Sequence, residues 1–245
     1  MPKLSAVIIA KNEEKNIADC IGSVGFCDEV IIVDSGSSDR TVELAKGAGA
    51  RVTSNGFTDY ASQKNFGIQK AAGEWVFLID ADERVTPDLA NEIKAVLAQP
   101  KSDGYQVVRH NRIFGRWMRH GANRNDLQTR LVKKEKAVFR GPVHERIALE
   151  GDTPRFKNPL LHYSTDNLSS YMNKLNVYTK MEAALLGRKE RGVSAGKMKL
   201  KPMAIFIVRA FWQGGILDGL EGFFFSVLSA YYEFVKRAKH WELSK

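Results

Sequence analysis

Along the first 100 positions, apolar residues fall in short runs that end at carboxylates or polar turns, with helix-spaced stretches between them. Residues 4–10 (LSAVIIA) and 29–34 (EVIIVD) read as strands, and the unbroken apolar run 75–79 (WVFLI) reads as a strand buried on both faces. Between the first two, Ile17, Cys20, Ile21 and Val24 recur at intervals of three and four, which predicts an amphipathic helix from residue 14 to about 24. The turn 35–41 supplies Ser and Asp at the start of a helix running to about residue 47. A short strand at 51–54 and a helix over 60–72 closed by Gly73 follow. Thr86-Pro87-Asp88 opens another helix, to about residue 98. Strands alternating with helices at this spacing imply βαβ units with right-handed crossovers, hence an α/β fold with a mainly parallel sheet.

After residue 103 the pattern changes. Strand-like stretches at 105–109, 128–134, 137–140, 145–149 and 160–163 have no helices between them, so the sheet is expected to become mixed or antiparallel. Between two of them lies the basic, glycine-containing segment 112–126, expected to be a mobile loop over the site. Leu168, Tyr171, Leu175, Tyr178 and Leu185 form the apolar stripe of a helix over 167–187. The segments 205–212 and 220–235 are apolar and aromatic but interrupted by charges, and neither reaches the roughly 20 apolar residues of a membrane span. The expected organisation is a single α/β domain over residues 1–165 and a helical extension over 166–245, with a linker at 192–196.

Composition sharpens this picture at two points. With 245 residues and 44% hydrophobic content the chain can bury a sizeable core. Its charge of +9 is uneven, since residues 101–245 carry 27 Lys/Arg against 13 Asp/Glu. Such a basic half suits phosphates, an anionic membrane surface or nucleic acid. Seven Lys/Arg and one acid occupy residues 188–209, beside the apolar run at 202–208, which favours a membrane-surface anchor. No nucleic-acid-binding motif accompanies the basic residues, so no nucleic-acid partner is expected. Cys20 and Cys27 match neither a zinc knuckle nor a CxxC pair, and no secretory signal is visible. The expected location is the cytoplasm, peripheral on the cytoplasmic face of the inner membrane.

The candidate chemistry lies where apolar strands end. The run 75–79 stops at Asp80-Ala81-Asp82, and open α/β sheets bind ligands at the C-terminal edge of their strands. If the chain stays extended, Asp80 and Asp82 project to one side and can share one hard cation, Mg²⁺ or Mn²⁺, that keeps positions open for phosphate oxygens. Asp34 sits at the mouth of the second β-loop-α unit. The alternative for each acid is helix capping or a solvated strand end.

Five motifs in order carry a resemblance: Lys11-Asn12-Glu13-Glu14, Val33-Asp34-Ser35-Gly36-Ser37-Ser38-Asp39-Arg40-Thr41, Gln63-Lys64-Asn65-Phe66-Gly67, Ala72-Gly73-Glu74-Trp75 and Leu78-Ile79-Asp80-Ala81-Asp82-Glu83. Together they resemble the family 2 inverting glycosyltransferases with the GT-A fold. The stretches Gly141-Pro142-Val143-His144-Glu145-Arg146 and Gly214-Gly215-Ile216-Leu217-Asp218-Gly219 look like a subgroup that includes lipopolysaccharide-core glucosyltransferases.

The resemblance implies a role for each matching position. Asp34 would accept the uracil imide N–H, with Asn12, Glu13 and Asp39 in the same nucleotide-binding region. Lys64 and Asn65 would lie near the nucleotide or donor sugar, Asp80 near the ribose and sugar, and Asp82 on a divalent cation. Glu145 would be the catalytic base, with Asp126 in reserve. His144 would ligate the metal or orient the acceptor. Arg124 and Arg130 would clamp the diphosphate, although solvated arginines are the bland reading. The QxxRW motif of processive members is missing, the nearest stretch being Gln128-Thr129-Arg130-Leu131, so transfer of a single sugar is expected. The implied reaction moves a hexose, glucose by the subgroup, from a UDP-sugar to a lipid-linked saccharide such as a lipopolysaccharide core. With a polyprenyl phosphate as the acceptor instead, no base would be needed.

Overall fold

The computed structural model describes residues 2–121, 125–141, 146–147, 149–189 and 194–245. It divides into two compact units, residues 1–109 with 127–162, and residues 110–126 with 163–245. Each is described by itself.

In chain order the first unit begins with β1 (Leu4–Ala10), α1 (Ile17–Ser23), β2 (Glu29–Asp34), α2 (Thr41–Gly47), β3 (Arg51–Ser54), α3 (Tyr60–Lys70), β4 (Trp75–Asp80), β5 (Glu83–Val85) and α4 (Pro87–Ala98). It continues through β6 (Gly104–Ile113), which crosses into the second unit and is followed there by β7 (Arg116–Trp117). The chain returns with β8 (Leu127–Lys133), β9 (Phe139–Arg140), β10 (Arg146–Ile147) and the start of β11 (Leu160–Thr165). Strands β3, β2, β1 and β4 lie side by side and parallel, as the βαβ pattern requires. Strand β8 then pairs antiparallel with β4, and β6 antiparallel with β8, giving the mixed sheet expected from the loss of intervening helices. The short β5 pairs antiparallel with β11, placing Glu83 opposite His162.

Burial explains why these runs became strands. Val76, Phe77, Leu78 and Ile79 are all essentially inaccessible, each side chain contributing about 1.5–3 kcal/mol through removal from water. Asp59 caps α3 by accepting the Ser62 N–H at 2.8 Å, and Thr86 caps α4 through the Leu89 N–H at 3.2 Å. Gly67 lets α3 lie directly on the sheet, since a Cβ there would fall 2.4 Å from Val7 Cγ1 and 2.9 Å from Val33 Cγ2.

In the second unit, the end of β6 and β7 form a hairpin, with Ile113 paired to Arg116 and positive φ at Phe114 and Gly115 in the turn. Segment 112–126 is therefore partly ordered β structure where a mobile loop was expected, because the Phe114 and Met118 N–H groups find the carbonyls of Thr165 and Asn111 at 2.9 Å each. The unit is completed by helices α5 (Leu168–Lys189), α6 (Ala195–Ile207) and α7 (Gly219–Leu243). Of the expected linker at 192–196, residues 192 and 193 lie outside the described residues, while Ser194 caps α6 and Ala195 and Gly196 begin it, so this part is helical.

Candidate active site

Parallel pairing puts the ends of β1, β2 and β4 at one edge of the sheet, with Ala10 opposite Asp34 and Ile9 opposite Asp80. Ligands of open α/β sheets bind there. Two polar clusters occupy this edge.

The first joins the loops after β1 and β2. Asp34 is buried, and its carboxylate accepts the Gly36 N–H at 3.0 Å, the Ser37 N–H at 3.2 Å and the Ser37 hydroxyl at 2.6 Å. Asn12, held at φ 56°, donates its N–H to Ser37 Oγ at 2.9 Å and accepts the Ser38 N–H at 2.8 Å. Asp39 accepts the Thr41 hydroxyl at 2.5 Å and the N–H groups of Thr41 at 3.0 Å and Glu14 at 3.2 Å; desolvation would raise its carboxyl pKa, but these bonds, the hydroxyl's first, lower it. Glu13 accepts the Asn16 amide at 2.8 Å, while its own N–H goes to Thr41 Oγ1 at 2.7 Å. The four candidates thus come together, and each spends hydrogen-bonding capacity on the shape of the loops.

The second cluster surrounds the end of β4. Asp80 Oδ2 accepts from Arg130 Nη2 at 2.8 Å, and its Oδ1 lies 3.6 Å from Lys64 Nζ. Burial by itself would raise the Asp80 pKa, but the charge of Arg130, then that of Lys64, holds the carboxyl far below the ordinary carboxylate range. Burial likewise opposes the charge on Arg130, while Asp80 and Glu83 push its pKa well above the usual value. Arg130 also bonds the fully buried Glu83, which meets Arg109 at 3.3 Å and accepts the Asp80 N–H at 2.9 Å. Lys64 further lies over the Phe139 ring, 5.5 Å from its centroid.

Arg130 therefore corrects one expectation. Rather than standing open to a diphosphate, its guanidinium is buried between two carboxylates, with Nε lacking a hydrogen-bond partner among the described residues. The expected sharing of one cation by Asp80 and Asp82 is corrected as well. The alternation rule lapses because β4 ends at Asp80 and Ala81-Asp82 form a turn. Asp82 instead faces His162, with Oδ2 3.4 Å from Nε2. Burial lowers the His162 pKa, but the neighbouring Asp82 charge and hydrogen bond outweigh it and the net shift is upward. The Asp82 carboxylate is the hard oxygen ligand that Mg²⁺ or Mn²⁺ takes, and the His162 ring would add a nitrogen ligand, to Mn²⁺ rather than Mg²⁺, on giving up its hydrogen bond to Asp82. Among the described residues no three His, Cys, Asp or Glu side chains gather as a metal cage.

Asn65 binds the backbone of Phe139 at both ends of its amide, donating to the carbonyl and accepting the N–H at 2.9 Å each, which commits it to holding β9. It also lines a cavity of about 640 Å³ with Glu74 and Lys133, at the start of β4 and so away from the carboxylates. Asp126 belongs to the second unit, where it accepts the Asn111 amide at 3.1 Å. Arg124, His144 and Glu145 lie outside the described residues. Sequence reasoning missed Glu83, Arg109 and His162. The one available signal was a charged or ring-nitrogen side chain next to apolar positions of a strand, as with His162 after Leu160 and Leu161.

Comparison with known proteins agrees with this architecture. Residues 5–150 match the family described as Glycosyl transferase family 2. The chain is 30% identical over 254 residues to the lipopolysaccharide core biosynthesis glycosyltransferase LpsC of Rhizobium meliloti, covering 99% of this chain and 94% of that one. It is also 30% identical over 261 residues to an uncharacterized glycosyltransferase of Rickettsia typhi, covering 100% and 88%. Among solved structures, glucosyl-3-phosphoglycerate synthase from Mycobacterium tuberculosis, in complex with Mn²⁺, UDP and glucosyl-3-phosphoglycerate, is similar in fold. Its TM-score is 0.53 at 19% identity, over 76% of this chain and 80% of that one.

Proposed function

The chain belongs to glycosyl transferase family 2 and has the GT-A fold, and we propose that it transfers a single hexose from a UDP-sugar to a lipid-linked saccharide of the lipopolysaccharide-core type. The observation that carries this reading is the split between neighbouring acids, Asp80 neutralised by Arg130 and Lys64, Asp82 facing His162. In this reading the loops held by Asn12, Glu13, Asp34 and Asp39 receive the nucleoside. Asp80, kept ionised, accepts hydroxyl groups of the ribose or donor sugar. Arg130 and Glu83 hold Asp80 in place from beneath, and Lys64 adds positive charge at the same edge.

Asp82 and His162 would hold the divalent cation, whose chemistry when bound is to offset charge on the leaving diphosphate. The chain's own residues supply orientation, because two ordered loops and a fixed carboxylate remove freedom from the donor before reaction. Glu145, with Asp126 in reserve, is assigned to take the acceptor proton.

A saccharide acceptor is supported by the full-length similarity to LpsC. UDP as the nucleotide is supported by the complex held by the M. tuberculosis enzyme. The test is a screen of UDP-sugars for hydrolysis or transfer, with Mn²⁺, Mg²⁺ or excess chelator. Metal-stimulated turnover of one UDP-hexose is expected, and turnover only of sugars on other nucleotides would overturn the donor assignment.

A further inference from the structure

Helix α7 is inside out. Its buried positions are Gly222, Ser226, Ser229, Glu233, Arg237 and His240, whereas Phe223, Phe224, Val227, Tyr231 and Phe234 are exposed. A helix that packs in water turns its apolar stripe inward. Here the polar seam is satisfied within the second unit. Glu233 accepts from Arg237 Nε at 2.7 Å and pairs with Lys236 at 2.6 Å. Lys236 also reaches Glu182 at 3.1 Å, which accepts the Tyr232 hydroxyl at 2.7 Å. The Ser226 and Ser229 hydroxyls bond back to the carbonyls of Gly222 and Phe225, and Arg209 reaches Ser229. Polar groups paired inside and rings facing out are what a helix needs where its surroundings cannot hydrogen-bond.

The connection between α6 and α7 continues the apolar surface. The chain passes through a π-helical turn at Val208–Trp212, Gly214 at φ 71° and a 3-10 turn at Gly215–Asp218. Trp212 is 89% exposed at this tip, Leu217 66% and Leu220 63%. The tip is nonetheless held firmly. A Cβ at Gly222 would fall 2.0 Å from the Gly215 carbonyl, so α7 presses directly on the turn. Buried Asp218 accepts the His120 N–H at 2.8 Å and the Arg119 N–H at 3.1 Å.

At the other end of the hairpin the surface is basic. Lys197, Lys199 and Lys201 are exposed at the start of α6, and Lys245 is exposed just past the end of α7. The ion pair from Lys201 to Glu233 at 3.5 Å ties the two arms together. Eleven residues of helix rise roughly 17 Å from Lys201 to Trp212, close to half the ~30 Å hydrocarbon core of a bilayer. Among the described residues no single helix is long and apolar enough to cross a membrane; only α6 and α7 together, bent by 65° at the break, pass by length and composition.

We propose that this hairpin is a monotopic anchor. The Trp212 tip and the aromatic outer face enter one leaflet of an anionic membrane, and the lysines at the base stay among the headgroups. A second copy of the chain could cover the rings but would set like charges against the lysine rim, whereas anionic headgroups complement it.

The full chain is tested by cosedimentation with phosphatidylglycerol-containing and with purely phosphatidylcholine vesicles, at low and high salt. The wild type is expected to bind the anionic vesicles preferentially. Trp212→Glu with Leu217→Glu, both at exposed positions, should weaken binding at least about tenfold, the scale set by losing burial of two large apolar side chains. Exchanging Lys197, Lys199 and Lys201 for Gln should remove the anionic preference and its salt sensitivity. Quenching of tryptophan fluorescence by brominated acyl chains, present in the wild type and reduced in Trp212→Phe, reads insertion without the Glu substitutions. The anchor is overturned if the wild type binds neither vesicle, if the double Glu protein binds as well as the wild type, or if Trp212→Phe is quenched equally. A wild-type dimer without vesicles that the Glu substitutions dissociate would overturn it in favour of a second copy.

Discussion

The Arg130 guanidinium meets the Asp80 carboxylate at 2.8 Å with only 3% of the arginine side chain exposed. Glu83 completes the arrangement from below, so one buried cation serves two carboxylates at the end of β4. Breaking a buried pair leaves an uncompensated charge, which costs far more than removing a surface pair.

Arg130→Met is therefore expected to destabilise the protein by about 3–5 kcal/mol, read from urea unfolding. The pH dependence follows from the direction of the Asp80 shift. Its pKa is lower folded than unfolded, so its contribution is complete above the ordinary aspartate value of about 3.9 and is lost as pH falls below it towards the folded-state value. The wild type should lose stability steeply on acidification through that window, and Arg130→Met should show a shallower slope there. Equal slopes in the two proteins would mean that Asp80 does not draw its low pKa from Arg130.

Asp82→Ala and His162→Ala are each expected to abolish the increment in UDP affinity and turnover produced by Mn²⁺, while metal-free UDP binding persists. Calorimetric titration of UDP with and without Mn²⁺ separates the two quantities. Full wild-type turnover in excess chelator would sink the assignment, as would an unchanged Mn²⁺ increment in both variants.

Asp34→Ala should weaken UDP binding by about 1.5–3 kcal/mol, the range for hydrogen bonds to a charged group. The loss would come in part through the loop, because the N–H groups of Gly36 and Ser37 lose their acceptor. Unchanged UDP affinity by calorimetry would show that the nucleoside binds elsewhere.

Gly67→Ala tests the close approach of α3 to the sheet. The added methyl would meet Val7 and Val33 well inside contact distance, and overpacking of this kind costs roughly 1–3 kcal/mol. Thermal unfolding should register that loss. A neutral or stabilised variant would show that the helix can shift away without penalty.

Residues near one another in sequence made much of this protein legible from the sequence itself. The apolar runs at 4–10, 29–34 and 75–79 could satisfy neither water nor an open edge, so burial in a parallel sheet followed, and their terminal acids had to emerge at one edge. Caps such as Thr86 with Pro87 act within one turn of helix and could be read directly. Tertiary structure alone decided which charges meet. Lys64, Asp80, Arg109 and Arg130 stand on four different elements, and Glu83 faces His162 only through the register of two strands nearly 80 residues apart. The same holds for α7, whose composition looks like that of an ordinary amphipathic helix. Which side is buried depends on what Lys201 and Glu182 bring to its polar stripe. Local sequence sets what each segment prefers, but pairing energies between distant charges are decided only once the chain has brought them out of water together.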